Sequence, residues 1–261
     1  MAEATGAGDT PVLLWGTAEA HVCLGQSQSA ALELAPQPGV PVVRRPLGGG
    51  TVWVDEHQCC HVLIMPLRQA PQRPADWAAW ALRPVVATYR RFGLQVEMRD
   101  GDLWLHGRKI AGSGSATIGS CAVFASSFLL RFPHESFARC IAGSGEFRDW
   151  LVEGLKRTMT DWASHAAIPS APALRDAYAA AVEQSFGWKL RQCALKPAEN
   201  ATIAEAHADV GDEEYPGGSR AVAGGIKLNA ESWLVERMED GLPVRELVVR
   251  GNVARREVIG A

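Results

Sequence analysis

Residues 42 to 53, Val-Val-Arg-Arg-Pro-Leu-Gly-Gly-Gly-Thr-Val-Trp, constrain this chain more than any other stretch. Two apolar, strand-like runs are joined there by Arg44, Arg45 and the successive glycines Gly48, Gly49 and Gly50. Three glycines in a row forgo side-chain packing and enlarge the entropy of the unfolded chain. A folded domain keeps them where the backbone must take unusual angles or touch a ligand. Beside two arginines the expected ligand is an anion, because guanidinium forks and bare amides suit phosphate or carboxylate oxygens. The spacing is neither that of the Gly-x-x-x-x-Gly-Lys-Ser/Thr loop nor that of Gly-x-Gly-x-x-Gly. Taken alone, the stretch also reads as a glycine-rich hairpin with solvated arginines.

The rest of the composition narrows the partner. A formal net charge of -3 over 261 residues argues against a general nucleic-acid binder, so any basic character must be concentrated at a site. No run has the apolar length of a membrane helix, and no membrane partner is expected. The six cysteines (Cys23, Cys59, Cys60, Cys121, Cys140 and Cys193) form no Cys-x-x-Cys pair and lie in apolar patterns. With no secretory h-region at the N-terminus, a reducing cytoplasm is the expected location. His57, Cys59, Cys60 and His61 match no standard zinc spacing, so no protein-held metal is expected.

Along the chain, residues 1–10 are small and polar and are expected to be disordered. Short strands are predicted over 11–15, 21–24 and 60–65, and a helix over 76–92 with Asp76 as its cap, Gly93 as its stop and Pro84 as a source of a kink. Strands over 95–98, 103–105, 109–112 and 121–132 follow, with Asp100-Gly101 and His106-Gly107 as tight turns, which makes an antiparallel meander. Helices are predicted over 135–141, 147–162 and 174–186, covering one side of the sheet. The acidic, glycine-rich run 211–218 reads as a linker, and 224–249 as a hairpin turning at Asp240-Gly241 that must pack on something.

A second stretch carries chemistry: Gly101-Asp102-Leu103, then Lys109-Ile110-Ala111-Gly112-Ser113. In a strand the Lys109 ammonium can be held over a site as a point charge while Gly112 and Gly114 allow close backbone approach. On its own, a strand lysine is more often a surface residue.

Taken together the two stretches resemble the lipoate-protein ligase family, whose hallmark is Arg-Arg-x-x-Gly-Gly-Gly-x-Val-x-His-Asp, then Asn-Asp-Leu, then Lys-Ile-x-Gly-Ser. Val12-Leu13-Leu14-Trp15 and Leu24-Gly25-Gln26-Ser27-Gln28 are similar to the family's first strands and its Gly-x-x-Gln loop. The resemblance covers roughly residues 11 to 165. It implies an α+β fold, a mixed and largely antiparallel sheet packed by helices, of the kind shared with biotin-protein ligase and the class II synthetase core. It divides the chain into a catalytic domain over 11–210 and a linker with a small C-terminal hairpin unit over 211–261.

The resemblance also implies an activity. Such enzymes use ATP and Mg2+ to make lipoyl-adenylate from free lipoate, or from a related medium-chain acid, and pass the acyl group to a lysine of a lipoyl carrier domain. By position, Arg44, Arg45 and the loop Gly48, Gly49, Gly50 and Thr51 would hold the adenylate, with Gly112 and Ser113 beside it. Asp102 would contact the nucleotide side, and Lys109 the acyl carbonyl and phosphate oxygens. Trp15, Val22, Val62 and Ile64 are available for an apolar slot. A separate accessory subunit could complete the abbreviated C-terminal unit.

This chain departs from the family pattern at Leu47, Val54 and Gly101, and it has Ala125-Ser126-Ser127 in place of His-Gly-Thr. Each change removes a hydrogen-bonding group. Two alternatives therefore stand beside the ligase: an ATP-independent transferase forming a thioester on Cys140 or Cys121, and a non-catalytic binder of lipoyl carriers.

Overall fold

One four-stranded antiparallel sheet separates a helix-covered core from the loops that carry the motifs. The computed structural model describes residues 10–197, 199–201, 203, 205, 218–220 and 222–260, so the expectations for residues 1–9 and 211–217 lie outside the described residues. In chain order the elements are β1 (Val12–Gly16), β2 (His21–Leu24), α1 (Ala30–Glu33), β3 (Val42–Arg44), β4 (Val52–Val54), β5 (Gln58–Pro66), α2 (Trp77–Ala81) and α3 (Arg83–Arg91). Then come β6 (Glu97–Arg99), β7 (Asp102–Leu105), β8 (Arg108–Ala111), β9 (Ser113–Ile118), β10 (Cys121–Leu129), α4 (His134–Cys140), α5 (Gly145–Thr158) and α6 (Ala171–Phe186). The last are β11 (Gly225–Asn229), β12 (Ser232–Glu239), β13 (Leu242–Val249) and β14 (Asn252–Val258).

The central sheet has the order β1-β5-β10-β9, and a small mixed sheet β3-β2-β4, in which β2 and β3 run parallel, presents the glycine stretch. A third sheet, β6-β7-β8, carries Asp102 and Lys109. Period-two alternation sorts the central sheet's side chains onto two faces. Leu13, Trp15, Leu63, Phe124 and Phe128 point into a core closed by α2, α3 and α6, where Trp77, Tyr89, Leu174, Tyr178 and the loop residue Trp162 complete the packing. Val12, Leu14, Ile64, Val123 and Ala116 point the other way, against Leu47 of the glycine stretch. The fold is therefore α+β with a largely antiparallel sheet packed by helices.

Several elements differ from the sequence-based expectation. The helix expected over 76–92 is divided at Leu82, because Pro84 enters the first turn of α3 and lacks the amide a continuous helix needs. Asp76 makes no cap hydrogen bond: its carboxylate pairs with Arg73 at 2.9 Å. The strand expected over 109–112 is β8, and past Gly112 the chain continues as a further strand, β9, which no turn dipeptide announces.

The C-terminal unit is larger than a hairpin: β11-β12-β13-β14 is a four-stranded meander. Its last turn is Arg250-Gly251, with φ of 52° and 74°, and arginine is a poor signal for a left-handed turn position. The sheet packs on α5, where a Cβ on Gly154 would stand 2.8 Å from both Leu228 and Leu247. Arg255 sits 3.8 Å over the Trp150 ring, and the buried Arg245 joins Glu236 at 2.7 Å and Glu146 at 3.2 Å. Ile226, Leu228, Leu234 and Leu247 share one apolar cluster with Val22, Leu24 and Trp53.

Candidate active site

The glycine stretch is held in shape by its own arginines. Arg45 leaves β3 and folds back, donating from Nη2 to the carbonyls of Gly48 (2.9 Å) and Gly50 (2.8 Å) and from Nη1 to Cys23 O (3.1 Å). Arg44 donates to the carbonyls of Gly25, Gln26 and Gln28 at 3.2, 3.2 and 2.5 Å. Both terminal nitrogens of Arg45 and Nη1 of Arg44 are thus bonded to backbone oxygens, and the arginines pin two loops to each other. Gly49 has φ of 99°, and a Cβ on Gly25 would lie only 2.0 Å from Gly49 O. Backbone touches backbone at this point, so no side chain fits at residue 25.

A buried polar relay braces the same junction. Gln28 accepts from Gly25 N (2.8 Å) and donates to Glu33 Oε1 (2.7 Å) and Thr51 Oγ1 (3.0 Å). Gln28 and Glu33 are 3% and 2% exposed, a degree of burial that polar groups tolerate only when bonded. The sequence marked Gln28 as part of a polar loop but gave no sign of Glu33, which reads as an ordinary helix residue of α1.

Lys109 reaches the site from β8. Its Nζ lies 2.9 Å from Asp102 Oδ1 on the neighbouring strand β7, and both side chains are mostly buried. A Cβ on Gly112 would stand 3.0 Å from that ammonium, so the glycine keeps the space beside the charge open. Two residues on, a Cβ on Gly114 would meet Leu47 at 3.6 Å and Gly48 O at 4.0 Å. The lysine and the start of the glycine loop therefore flank two residues of extended chain, about 7 Å at ~3.3 Å each. Ser113 Oγ donates to Gly101 O (2.5 Å) and Ser126 Oγ to Gly112 O (2.7 Å), which fixes the turn and the strand start around Lys109.

The remaining candidates separate. Trp15, Val22, Val62 and Ile64 do not form one slot: Trp15 packs on the helix side, Val22 lies in the cluster with α5, and Val62 and Ile64 face Leu47. The face with Val62 and Ile64 also bears half-buried Val12, Leu14, Ala116 and Ala125, an apolar surface beside the loop. Cys121 is fully buried there. Cys140 ends α4 with its thiol donating to Pro38 O and Ser136 O, both at 3.3 Å, and burial pushes its pKa up against the lowering influence of Arg139 and Arg148. A thiol so placed lacks the exposure and thiolate character of a nucleophile. Asp55 is also structural, accepting from Trp53 Nε1 (2.7 Å) and His57 N (2.9 Å).

His61 turns away from the site into the aromatic core, with its ring centroid 4.5 Å from that of Tyr178 and 5.4 Å from that of Phe128. Neither ring nitrogen has a hydrogen-bond partner, and burial lowers its pKa to about 3. Among the described residues no group of three or more His, Cys, Asp or Glu side chains could hold a metal ion, and no helix is long and apolar enough to cross a membrane.

The family model described as "Lipoyl protein ligase A/B catalytic domain" matches residues 1–184. No curated protein matches the sequence. Among solved structures, a bi-partite lipoate protein ligase of Thermoplasma acidophilum, described with its E2 lipoyl domain, superposes with a TM-score of 0.71 at 18% identity, over 77% of this chain and 81% of that one. A lipoate-protein ligase A bound with ATP gives 0.68 at 18% identity, over 81% and 87% of the two chains. A further Thermoplasma acidophilum protein, with bound lipoic acid, gives 0.66 at 16%, over 79% and 85%.

Proposed function

Since this chain belongs to the lipoyl protein ligase A/B catalytic domain family, we propose that it is an ATP-dependent ligase that activates lipoate, or a related medium-chain acid, and acylates a lysine of a lipoyl carrier domain. One observation above all supports the reading: the Lys109 ammonium, fixed by Asp102, stands against Gly112, and Leu47 and Gly48, at the start of the loop that Arg45 fixes, stand against Gly114 two residues on.

The chemistry asks for such a pairing. In the first half-reaction a carboxylate oxygen bonds to the α-phosphorus of ATP and pyrophosphate leaves, so negative charge builds on the non-bridging oxygens. A cation held in place beforehand stabilises that charge without reorganising. Lys109 supplies the charge, and Asp102 holds the ammonium in position from 2.9 Å. In the second half-reaction the carrier lysine's neutral amine attacks the acyl carbonyl, the bond to the phosphate oxygen breaks, and AMP departs with the electron pair. The same ammonium polarises that carbonyl, so one lysine serves both steps.

The apolar acyl tail would lie on the open face of the central sheet, where Val12, Leu14, Val62 and Ala116 remain half-buried. Mg2+ would arrive coordinated by the phosphate oxygens of ATP, as this ion commonly does. The solved relatives add support: one is described with ATP, another with lipoic acid and a third with a lipoyl domain. Mass spectrometry of the full chain incubated with lipoate, Mg2+ and ATP tests the proposal. Lipoyl-AMP is expected. If none forms while octanoyl groups move between carriers without ATP, the ligase reading fails.

A further inference from the structure

The family match ends at residue 184, yet residues well beyond it reach the glycine loop. Ser219 forms a parallel bridge with Gln28 and donates from its amide to Ser27 O at 3.2 Å, and Arg220 Nε donates to Leu32 O at 2.6 Å. This short segment is stitched onto the loop that Arg44 also holds. Between them lies a cavity of about 230 Å³, walled on one side by Gln28, Gly49 and Gly50 and on the other by Ser219, Arg220 and Lys227.

Lys227 is the one exposed residue of β11: Ile226 and Leu228, its buried neighbours, face the core, so alternation sends its side chain to the opposite side. Arg220 is anchored through Nε, which leaves its two terminal amino groups for other partners. Among the described residues no carboxylate lines the cavity. Two cations, glycine backbone and a buried amide thus share a space smaller than the ~300 Å³ at which drug-sized pockets begin. That combination suits a compact, multiply charged oxyanion.

We propose that this cavity is an anion subsite for the β- and γ-phosphates of the nucleoside triphosphate, and that Arg220 and Lys227 hold the pyrophosphate as it leaves. The inference rests on the reading of the glycine loop as the nucleotide loop, and it adds a part supplied by the C-terminal sheet. As the carboxylate oxygen bonds to the α-phosphorus, the bridging P–O bond to the β-phosphate breaks and its electron pair goes to pyrophosphate. In-line displacement puts that leaving group opposite the incoming oxygen. Lys109 stands against Gly112 and Gly48 against Gly114, while Gly49 and Gly50 line the cavity, so the proposal gives the departing charge a second set of cations further along the same loop.

The test uses the full chain and three variants: Lys227→Ala, Arg220→Gln and the charge-preserving Lys227→Arg. Calorimetric titration with magnesium pyrophosphate is expected to show about tenfold weaker binding for the first two and near-normal binding for the third, since losing one charged hydrogen-bond donor costs roughly that much. The KM for ATP in ATP–pyrophosphate exchange should rise by about the same factor, while transfer from preformed lipoyl-AMP to a carrier domain stays unchanged. Thermal melting of each variant checks folding. Unaltered pyrophosphate binding in both charge-removing variants overturns the proposal, as does a loss confined to the KM for the carrier, which would make the cavity a contact for an acidic protein face. If the unmodified chain makes no lipoyl-AMP at all, the ligase reading fails, and pyrophosphate binding still decides the cavity.

Discussion

The two faces of the central sheet are built on opposite principles. On the helix side Trp15, His61, Tyr89, Phe128, Trp162 and Tyr178 pack ring against ring, mostly tilted or edge-on, and an imidazole is sealed in with no hydrogen-bond partner. On the loop side side-chain bulk is scarce. Gly25, Gly49, Gly112 and Gly114 let backbones approach, and nearly every polar bond has a carbonyl or amide at one end. Buried bulk is concentrated on the first face and the candidate site on the second, although a single layer of strands separates them. The rigid aromatic side is what allows the other to be made of loops: it holds β5, β9 and β10 still while glycine-rich backbone lies across them.

If that division holds, changes on the two faces should move different observables. The largest effect is expected for Phe128→Ala, which removes a fully buried ring that touches five other aromatic rings. It should cost about 3–5 kcal/mol in a urea titration, with KM values nearly unchanged wherever the variant is still folded. Lys109→Met on the other face should lower the rate of lipoyl-AMP formation about 10²–10³-fold, with a smaller fall in the urea midpoint than Phe128→Ala, the part due to leaving the Asp102 carboxylate without its partner. A Phe128 variant that stayed stable but lost adenylation would erase the distinction.

Legibility in the sequence follows the same line. The glycine stretch, Asp102 and Lys109 could be found because each rests on a short motif whose geometry is set locally, by turns and by alternation. The pairing of the arginines with backbone carbonyls could not: a guanidinium beside glycines reads equally well as aimed at a ligand, and only the loop's path shows that Arg45 grips Gly48 and Gly50 instead. Glu33 was hidden for a related reason, since its burial depends on Gln28 and on no pattern in its own helix. The fourth C-terminal strand escaped because β14 is almost wholly exposed and its turn is built on Arg250, so it carries neither an apolar rhythm nor a usual turn residue. That the C-terminal sheet shares a core with Trp53 is a long-range fact with no local sign.

His61 offers a sharper view of the helix face. Burial lowers its pKa from 6.5 to about 3, so between those values the unfolded chain binds a proton that the folded chain refuses. Its neutral form costs nothing above pH 6.5, and stability should fall as the pH drops from there toward 3, by up to ~1.4 kcal/mol per pH unit. His134 and His165 are lowered in the same direction, chiefly by burial, so the informative quantity is a difference. Urea midpoints measured from pH 7.5 to pH 4.5 should fall less steeply for His61→Leu than for the unmodified chain. Parallel slopes would mean that the imidazole is not held dry.

The smallest expected effect tests how tightly the loop face is fitted. A Cβ on Gly114 would lie 3.6 Å from Leu47 and 4.0 Å from Gly48 O, which is ordinary contact distance. Gly114→Ala should therefore leave both the urea midpoint and the KM for ATP close to their starting values. Gly114→Leu adds a branched chain on the face that Leu47 covers, and the loop has to lift away from β9. Because Arg45 holds Gly48 and Gly50 as one piece, the lift should displace the whole bend relative to Lys109 and raise the KM for ATP roughly tenfold, about 1.4 kcal/mol of binding. The contrast between the two substitutions carries the information. If alanine is as damaging as leucine, the strand requires glycine for its backbone conformation; if leucine is as harmless as alanine, the loop is not seated on the sheet, and the spacing between the bend and the lysine is set elsewhere.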